Sequence, residues 1–208
     1  MKSSYYNYRE IPIELFKKRI KYHNDGSLSW KFSSDLNNHW NSKNANKKAG
    51  CIGNRYKKIC LTYNGKKYYI SNHVVVFILN KNKYPDNMLD HINGIKTDNR
   101  IENLREADSY QNALNRPALE NKTSQYKGVS WVKNRNSPKK WAIATTVRGV
   151  AHSMKYFYDE LEAAIAYNKL VKNFHDSEFS YMNDISNGYT NKEYPNKPRG
   201  WSEEKVAA

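Results

Sequence analysis

The longest unbroken apolar run in the chain is six residues, Val74 to Leu79. A membrane-spanning helix needs roughly 20, so an integral membrane protein is not expected. Other apolar residues recur at the spacings of short strands and short helices. A length of 208 residues suits one large domain or two small ones built from such pieces. The opening segment MKSSYYNYRE has no apolar core of the kind a secretory leader carries, and an intracellular (cytoplasmic) chain is expected. Cys51 and Cys60 show no CxxC spacing and are too few for a disulfide framework or a four-thiolate zinc site. Both are expected to be core thiols.

Local patterns place the elements. In residues 12 to 22, Ile13, Phe16 and Ile20 share a face behind Pro12, which predicts a short amphipathic helix stopped by Asn24, Asp25 and Gly26. SLSWKF reads as a strand, and the Asn- and Lys-rich stretch from Ser33 to Gly50 as a loop. Ile59, Leu61 and Tyr63 alternate up to Asn64-Gly65, and Tyr68 and Ile70 resume the period, which predicts a hairpin with a type I′ turn. Val74 to Leu79 suits a buried strand or the start of a helix. From Asp108 the pattern is helical through Tyr110, Ala113 and Leu114, ended by Pro117. Further on, Val129–Trp131, Trp141–Val147 and a segment through Met154, Tyr156 and Phe157 read as three strands, with turns at 134–138 and Arg148-Gly149. Asp159 then caps a helix whose Leu161, Ala164, Ile165 and Val171 share a face.

Charge narrows the partner. Lys and Arg number 35 against 20 Asp and Glu, a formal net charge of +15. Between Asp35 and Asp86 no acid occurs, and Lys43, Lys47, Lys48, Arg55, Lys57, Lys58, Lys66, Lys67, Lys81 and Lys83 fall in that gap. A second acid-free window, Asn121 to Tyr158, holds Lys122, Lys127, Lys133, Arg135, Lys139, Lys140, Arg148 and Lys155. Between the windows lies an acidic interval with Asp86, Asp90, Asp98, Glu102, Glu106 and Asp108 inside 23 residues. Mixed-sign surfaces are the usual arrangement, so two windows of one sign point to a polyanion. No amphipathic helix is rich in basic residues, which favours nucleic acid over a membrane surface.

The segment MLDHINGIKTDNRIENLREADSYQNALNR, residues 88 to 116, carries the chemistry. Asp90 and His91 are adjacent, Asn103 lies 12 positions after His91, and Asn112 lies 21 after it on the predicted helix. This resembles the HNH nuclease motif, and more narrowly the phage and intron-encoded group that reads D-H-I-N-G, then D-N-R-x-E-N-L-R, then Q-N on a helix. SLSWKF, AGCIGNRYKKICL and NHVVVFIL are similar to the same group, so the resemblance covers most of residues 10 to 116. It implies a ββα fold in which His91 ends the first strand and takes a proton from the attacking water. It implies Asp90 and Asn112 as oxygen ligands of Mg²⁺ or Mn²⁺, which suit hard cations. Asn103 would hold the loop and orient His91. His23, His39, His73, His152 and His175 are read as structural, and Asp98-Asn99 as turn chemistry.

Residues 124 to 183 resemble the AP2 DNA-binding domain, on YKGVSWV, KWAI, KYF, LEAAIAYN and EFSYMN. That resemblance implies a three-stranded sheet lying in the major groove with a helix behind it. Lys127, Lys133, Lys140 and Lys155 would meet phosphates, Arg135 and Arg148 are placed to read guanine edges, and Trp131 is a further DNA contact. Where plant domains carry arginines this chain has Ser130 and Val132, and Lys155 replaces a usual Gly.

The expected molecule is α+β, with an HNH ββα-metal nuclease module over 1–120, an AP2-like sheet with one packed helix over 121–183, and a disordered tail over 184–208. Its expected activity is metal-dependent hydrolysis of duplex DNA, of the phage homing class, by a monomer or a dimer assembled on DNA. Such a chain would work inside the bacterial host cell. The rival readings are a DNA-binding transcriptional regulator with an inactive motif, an RNA-binding protein, and a structural or packaging protein.

Overall fold

The computed structural model describes residues 8–52, 56–119, 122–133, 136–174 and 176–186, apart from the side chains of Ile52, Ser153 and Met154. It divides into two compact units, 1–108 and 109–208. The sequence expectation set the boundary after residue 120. Both units combine helices with small antiparallel sheets. Among the described residues no helix is long and apolar enough to cross a membrane. The expected tail beyond residue 186 lies outside the described residues.

The first unit begins with helix α1 (Ile13–Arg19), which turns directly into strand β1 (Ile20–Tyr22), paired with β2 (Leu28–Trp30). The helix expected over 12–22 therefore ends early: Ile20 leaves it in extended conformation and takes Trp30 as its strand partner. The expected loop 33–50 contains a helix, α2 (Asn38–Asn44), whose start Asn37 caps by accepting from the Trp40 amide. Strands β3 (Cys51–Ile52), β4 (Lys57–Tyr63) and β5 (Lys66–Ser71) form a three-stranded sheet. Asn64 and Gly65 have φ of 48° and 73°, the pair of positive values a type I′ hairpin requires.

On that sheet Ile59, Leu61, Tyr68 and Ile70 face the core, and the alternation that buries them turns Lys58, Cys60, Thr62, Lys67 and Tyr69 outward. Cys51 and Cys60 are exposed, not core thiols. Cys60 sits between Ile59 and Leu61, so a period of two puts it on the solvent face; Cys51 pairs with outward Lys58. The ambiguous apolar run forms helix α3 (Asn72–Lys81), buried at every position from Asn72 to Ile78. It packs on α1 and lies against Ile11, Phe16, Ile59, Ile70 and Leu104 in one core. After α3 come β6 (Met88–His91) and β7 (Leu104–Ala107), paired so that Asp90 faces Arg105 and His91 faces Leu104.

The second unit opens with α4 (Ser109–Leu114), followed by β8 (Val129–Trp131), β9 (Trp141–Val147) and β10 (Val150–Phe157) in the sheet order β10-β9-β8. Helix α5 (Glu160–Val171) packs on this sheet, its start capped by the Asp159 carboxylate accepting from the Glu162 amide at 2.9 Å. Ala163 and Ala164 let the helix come close, and Trp141, Ile143, Val129 and Tyr167 fill the core. Gly128 has φ of 73°, and a Cβ there would lie 1.9 Å from the Tyr167 ring. Two asparagines pin the end of this unit. Asn168 bonds both backbone groups of Asn183, and the Asn183 side chain pairs with both backbone groups of Lys127.

Candidate active site

Strand β6 ends in a loop that must return to β7 within twelve residues, and polar side chains do the folding. Asn103 is the hub. Its Oδ1 accepts from the Asn93 amide at 3.0 Å, and its Nδ2 donates to Asn93 Oδ1 at 3.0 Å and to the Asp98 carbonyl at 2.8 Å. Asn93 Nδ2 in turn reaches Asp98 Oδ2 at 2.8 Å, and Arg100 holds the same carboxylate through Nε and Nη2. That guanidinium keeps the Asp98 carboxyl well below the usual carboxylate range. Asn103 is buried, so truncating it would strand several polar groups at once.

The loop presents His91, itself buried, at the end of β6. Its Nε2 lies 3.0 Å from Asn99 Oδ1, on a residue read from sequence as turn chemistry. The Tyr56 ring stacks on the imidazole with centroids 6.1 Å apart and planes at 21°, and His73 meets it edge-on at 5.2 Å. Tyr56 also meets His73, at 5.0 Å. Asn99 and His73 thus both contact His91, though neither stands in the H, N and final N positions of the motif. Gly26 sits where a Cβ would lie 2.6 Å from the Asn99 and Arg100 backbone, so the β1–β2 turn buttresses the loop that carries Asn99.

Asp90 is buried and directly opposite Arg105, whose Nε and Nη2 donate to Oδ2 at 3.1 and 2.9 Å. The carboxylate is thereby oriented and its charge compensated. Burial pushes the His73 imidazole down to about 3, with His91 adding to the effect. The unfolded chain then accepts a proton below the ordinary value of 6.5 that the folded first unit refuses. Stability is full above that pH and drains away as pH falls toward 3, by about 2 kcal/mol near pH 5. Urea unfolding at pH 8 and pH 5 checks this: His73→Gln should lose about 2 kcal/mol less than the parent on acidification, and an equal loss in both proteins would refute it.

A divalent cation is what the resemblance implies here. Asp90 fits as a hard oxygen donor, held in one orientation by Arg105. Among the described residues no group of three or more His, Cys, Asp or Glu side chains could hold a metal ion. Phosphate and water oxygens would therefore supply most of the shell, in keeping with an ion bound weakly until substrate arrives. Asn112 is partly buried on α4, in the second unit.

The residues expected to touch DNA differ in their surroundings. Lys133 and Lys155 are exposed, and Lys140 is partly exposed beside β9. Lys127 is engaged within its own unit. Its ammonium donates to the carbonyls of Ala113 and Leu114, closing the end of α4, and burial pushes it down to about 8, with Arg116 adding to the effect. Arg148 pairs with Asp176 at 3.2 Å and lies over the Tyr110 ring at 5.2 Å, while Gln111 donates to the same carboxylate. Lys127 is partly buried by these contacts, whereas Arg148 stays exposed despite its ion pair. Trp131 is partly buried, edge-on to Trp141 at 5.0 Å. Arg135 lies outside the described residues.

Residues 68–114 match the family model of the HNH endonuclease. The matched segment runs from β5 to the end of α4 and takes in Asp90, His91, Asn103 and Asn112. The protein is a nuclease, a hydrolase of phosphodiester bonds, and DNA is the polymer such a domain acts on. No curated protein and no solved structure matches the chain.

Proposed function

We propose that this nuclease is a divalent-metal-dependent endonuclease of duplex DNA, of the homing type, targeted by an AP2-like second unit. The observation that carries the reading is the buried Asp90-His91 pair at the end of β6, held over a loop whose hub is Asn103, inside the segment that matches the HNH endonuclease. In the reaction the His91 imidazole accepts a proton from the attacking water as its oxygen bonds to phosphorus. The bond from phosphorus to the 3′-oxygen then breaks, and the departing oxygen takes a proton from solvent water, leaving a 5′-phosphate and a 3′-hydroxyl. Asn103 keeps the loop from sagging away from the strand, and Arg105 keeps the Asp90 carboxylate aimed. Asp90 would hold the divalent ion, which when bound would supply positive charge to offset the negative charge that develops on the phosphoryl oxygens.

The second unit supports targeting by its architecture and its charge. A three-stranded antiparallel sheet carries one helix, and the basic residues of the window 121–158 precede that helix while Glu160 and Glu162 begin it. Lys133, Lys140 and Lys155 are its proposed phosphate contacts, which fix position and read no sequence. With one HNH segment per chain, a single encounter cuts one strand.

Supercoiled plasmid tests the whole reading. Open circles should form before linear product with Mg²⁺, formation should stop with EDTA, and Mg²⁺ in excess should restore it. Cleavage that proceeds unchanged in EDTA would remove the metal from the account. Purified protein that binds duplex but never cuts it would favour the regulator.

A further inference from the structure

A buried hydrogen-bonding atom left unpaired by the fold is costly, and its presence calls for a partner from outside the chain. Asn72, the first residue of α3, is such a case: the residue is 3% exposed and its Oδ1 meets no donor among the described residues. The amide cannot simply turn over. Its Nδ2 faces the Ala49 carbonyl at 3.5 Å, and the flipped group would set two oxygens against each other. Gly50 makes room for this side chain: at φ of 98°, a Cβ there would lie 2.8 Å from both Oδ1 and Nδ2.

Asn72 lines a cavity of about 190 Å³ in the first unit. One water needs roughly 10–15 Å³, so the space suits a larger polar group. Lys48 and Lys57, both exposed, line it as well, and Asp25, also in its wall, offsets one of the two charges. Lys48 lines a wider hollow of about 430 Å³ too, together with Lys21. Asn99 is a further wall of the smaller cavity, and its Oδ1 lies 3.0 Å from Nε2 of His91. The cavity is therefore one side chain away from the imidazole. The ligand that fits these groups carries an N–H to donate to Asn72 and negative charge for the lysines. A nucleotide has both, since the Watson–Crick edge of every base includes an amino or imino N–H. A base stacked in a duplex cannot reach a buried oxygen, so the base has to leave the stack.

We infer that this cavity is a nucleotide subsite, which takes the base of one nucleotide of the cut strand, beside the scissile bond. Asn72 Oδ1 accepts from the base, Lys57 and Lys48 meet its phosphate, and the strand continues past Lys48 into the wider hollow. The inference rests on the nuclease reading above, but occupancy is measured without cleavage.

The first measurement titrates the full chain, free of metal, with deoxyadenosine 5′-monophosphate and follows the Asn72 side-chain amide and the Gly50 and Lys57 backbone amides by ¹H–¹⁵N NMR. Deoxyribose 5-phosphate, which lacks the base, is the comparison probe. Saturable shifts are expected at all three residues, with the nucleotide at least about 10-fold tighter than the comparison probe because the base is buried. Asn72→Leu should weaken the nucleotide about 3- to 10-fold, the effect of losing one hydrogen bond, and leave deoxyribose 5-phosphate unchanged. A merely structural Asn72 would weaken both probes alike or neither. Lys57→Gln should weaken both about two- to fivefold, and less at high salt. Lys57 is exposed, so this variant and the parent titration decide should Asn72→Leu fail to fold.

The second measurement places the ligand on the strand. A plasmid cut site mapped by primer extension supplies a duplex in which 2-aminopurine, which fluoresces more when unstacked, replaces each base flanking the cut in turn. Without metal, the parent protein should raise the fluorescence several-fold at one of the two positions, and Asn72→Leu should abolish most of that rise. Equal binding of the two probes, or saturation by neither, would leave the cavity to water and overturn the inference. Nucleotide binding with no rise at either base would overturn it as well, since the ligand would then be a free mononucleotide. If no plasmid is cut, the nuclease reading fails, while the titration still decides whether the cavity takes a nucleotide.

Discussion

His91→Ala is expected to slow plasmid cleavage by roughly 10²- to 10⁴-fold, the contribution a positioned general base makes, while leaving duplex affinity nearly unchanged. His91 is the one imidazole in the segment 88–116, and β6 carries it at its end, next after Asp90 in the chain. Because the ring is buried against Tyr56 and His73, the alanine leaves a hole, so His91→Gln should be run beside it to keep the volume filled. Single-turnover rates at saturating protein separate chemistry from binding, and a gel-shift titration at fixed salt measures binding. Cleavage within about threefold of the parent in both variants would show that another group removes the proton. Loss of binding in step with cleavage would move His91 from the reaction to the fold.

The second large effect falls on stability. Gly128→Ala should destabilise the second unit by about 2–6 kcal/mol, combining left-handed backbone strain with an overpacked core. Gly128 has φ of 73°, and the added methyl would lie 1.9 Å from one ring atom of Tyr167 and 2.2 Å from the next. The ring cannot swing aside, since Tyr167 is buried among Ala163, Ala164 and Trp141. The double variant Gly128→Ala with Tyr167→Ala separates the two terms, because it removes the clash and keeps the strain. Thermal unfolding reads both. If Gly128→Ala melts with the parent, the close approach of strand and helix described above is wrong.

The motif was legible because it is local. Asp90, His91 and Asn103 belong to one strand-loop-strand segment, and the residue types that fold such a loop are the ones that mark it in the sequence. The hairpin at Asn64-Gly65 was legible for the same reason, since positive φ at two successive residues restricts the choice to Asn and Gly. Cys60 shows two rules in conflict. The alternation that puts Ile59 and Leu61 inside puts Cys60 outside, whereas the general preference of thiols for the core points inward, and the alternation wins because the strand's geometry enforces it. The loop expected at 33–50 hid α2 because its cap and helix are built from polar residues with no apolar stripe to betray them.

Spacing along the chain was therefore enough to identify the nuclease motif, the turns at Asn64-Gly65 and Arg148-Gly149 and the strands β2, β4, β5, β8, β9 and β10, whereas β1, β3 and β7 went unread. Folding alone assigned the partners. Lys127 closes α4, Arg148 pairs with Asp176, and His73 meets His91 across stretches of chain that no local pattern connects. A cation in a sequence carries only its charge; whether that charge faces a phosphate or a carbonyl of its own protein is settled by which distant segment packs beside it, because burial and pairing are properties of the assembled core.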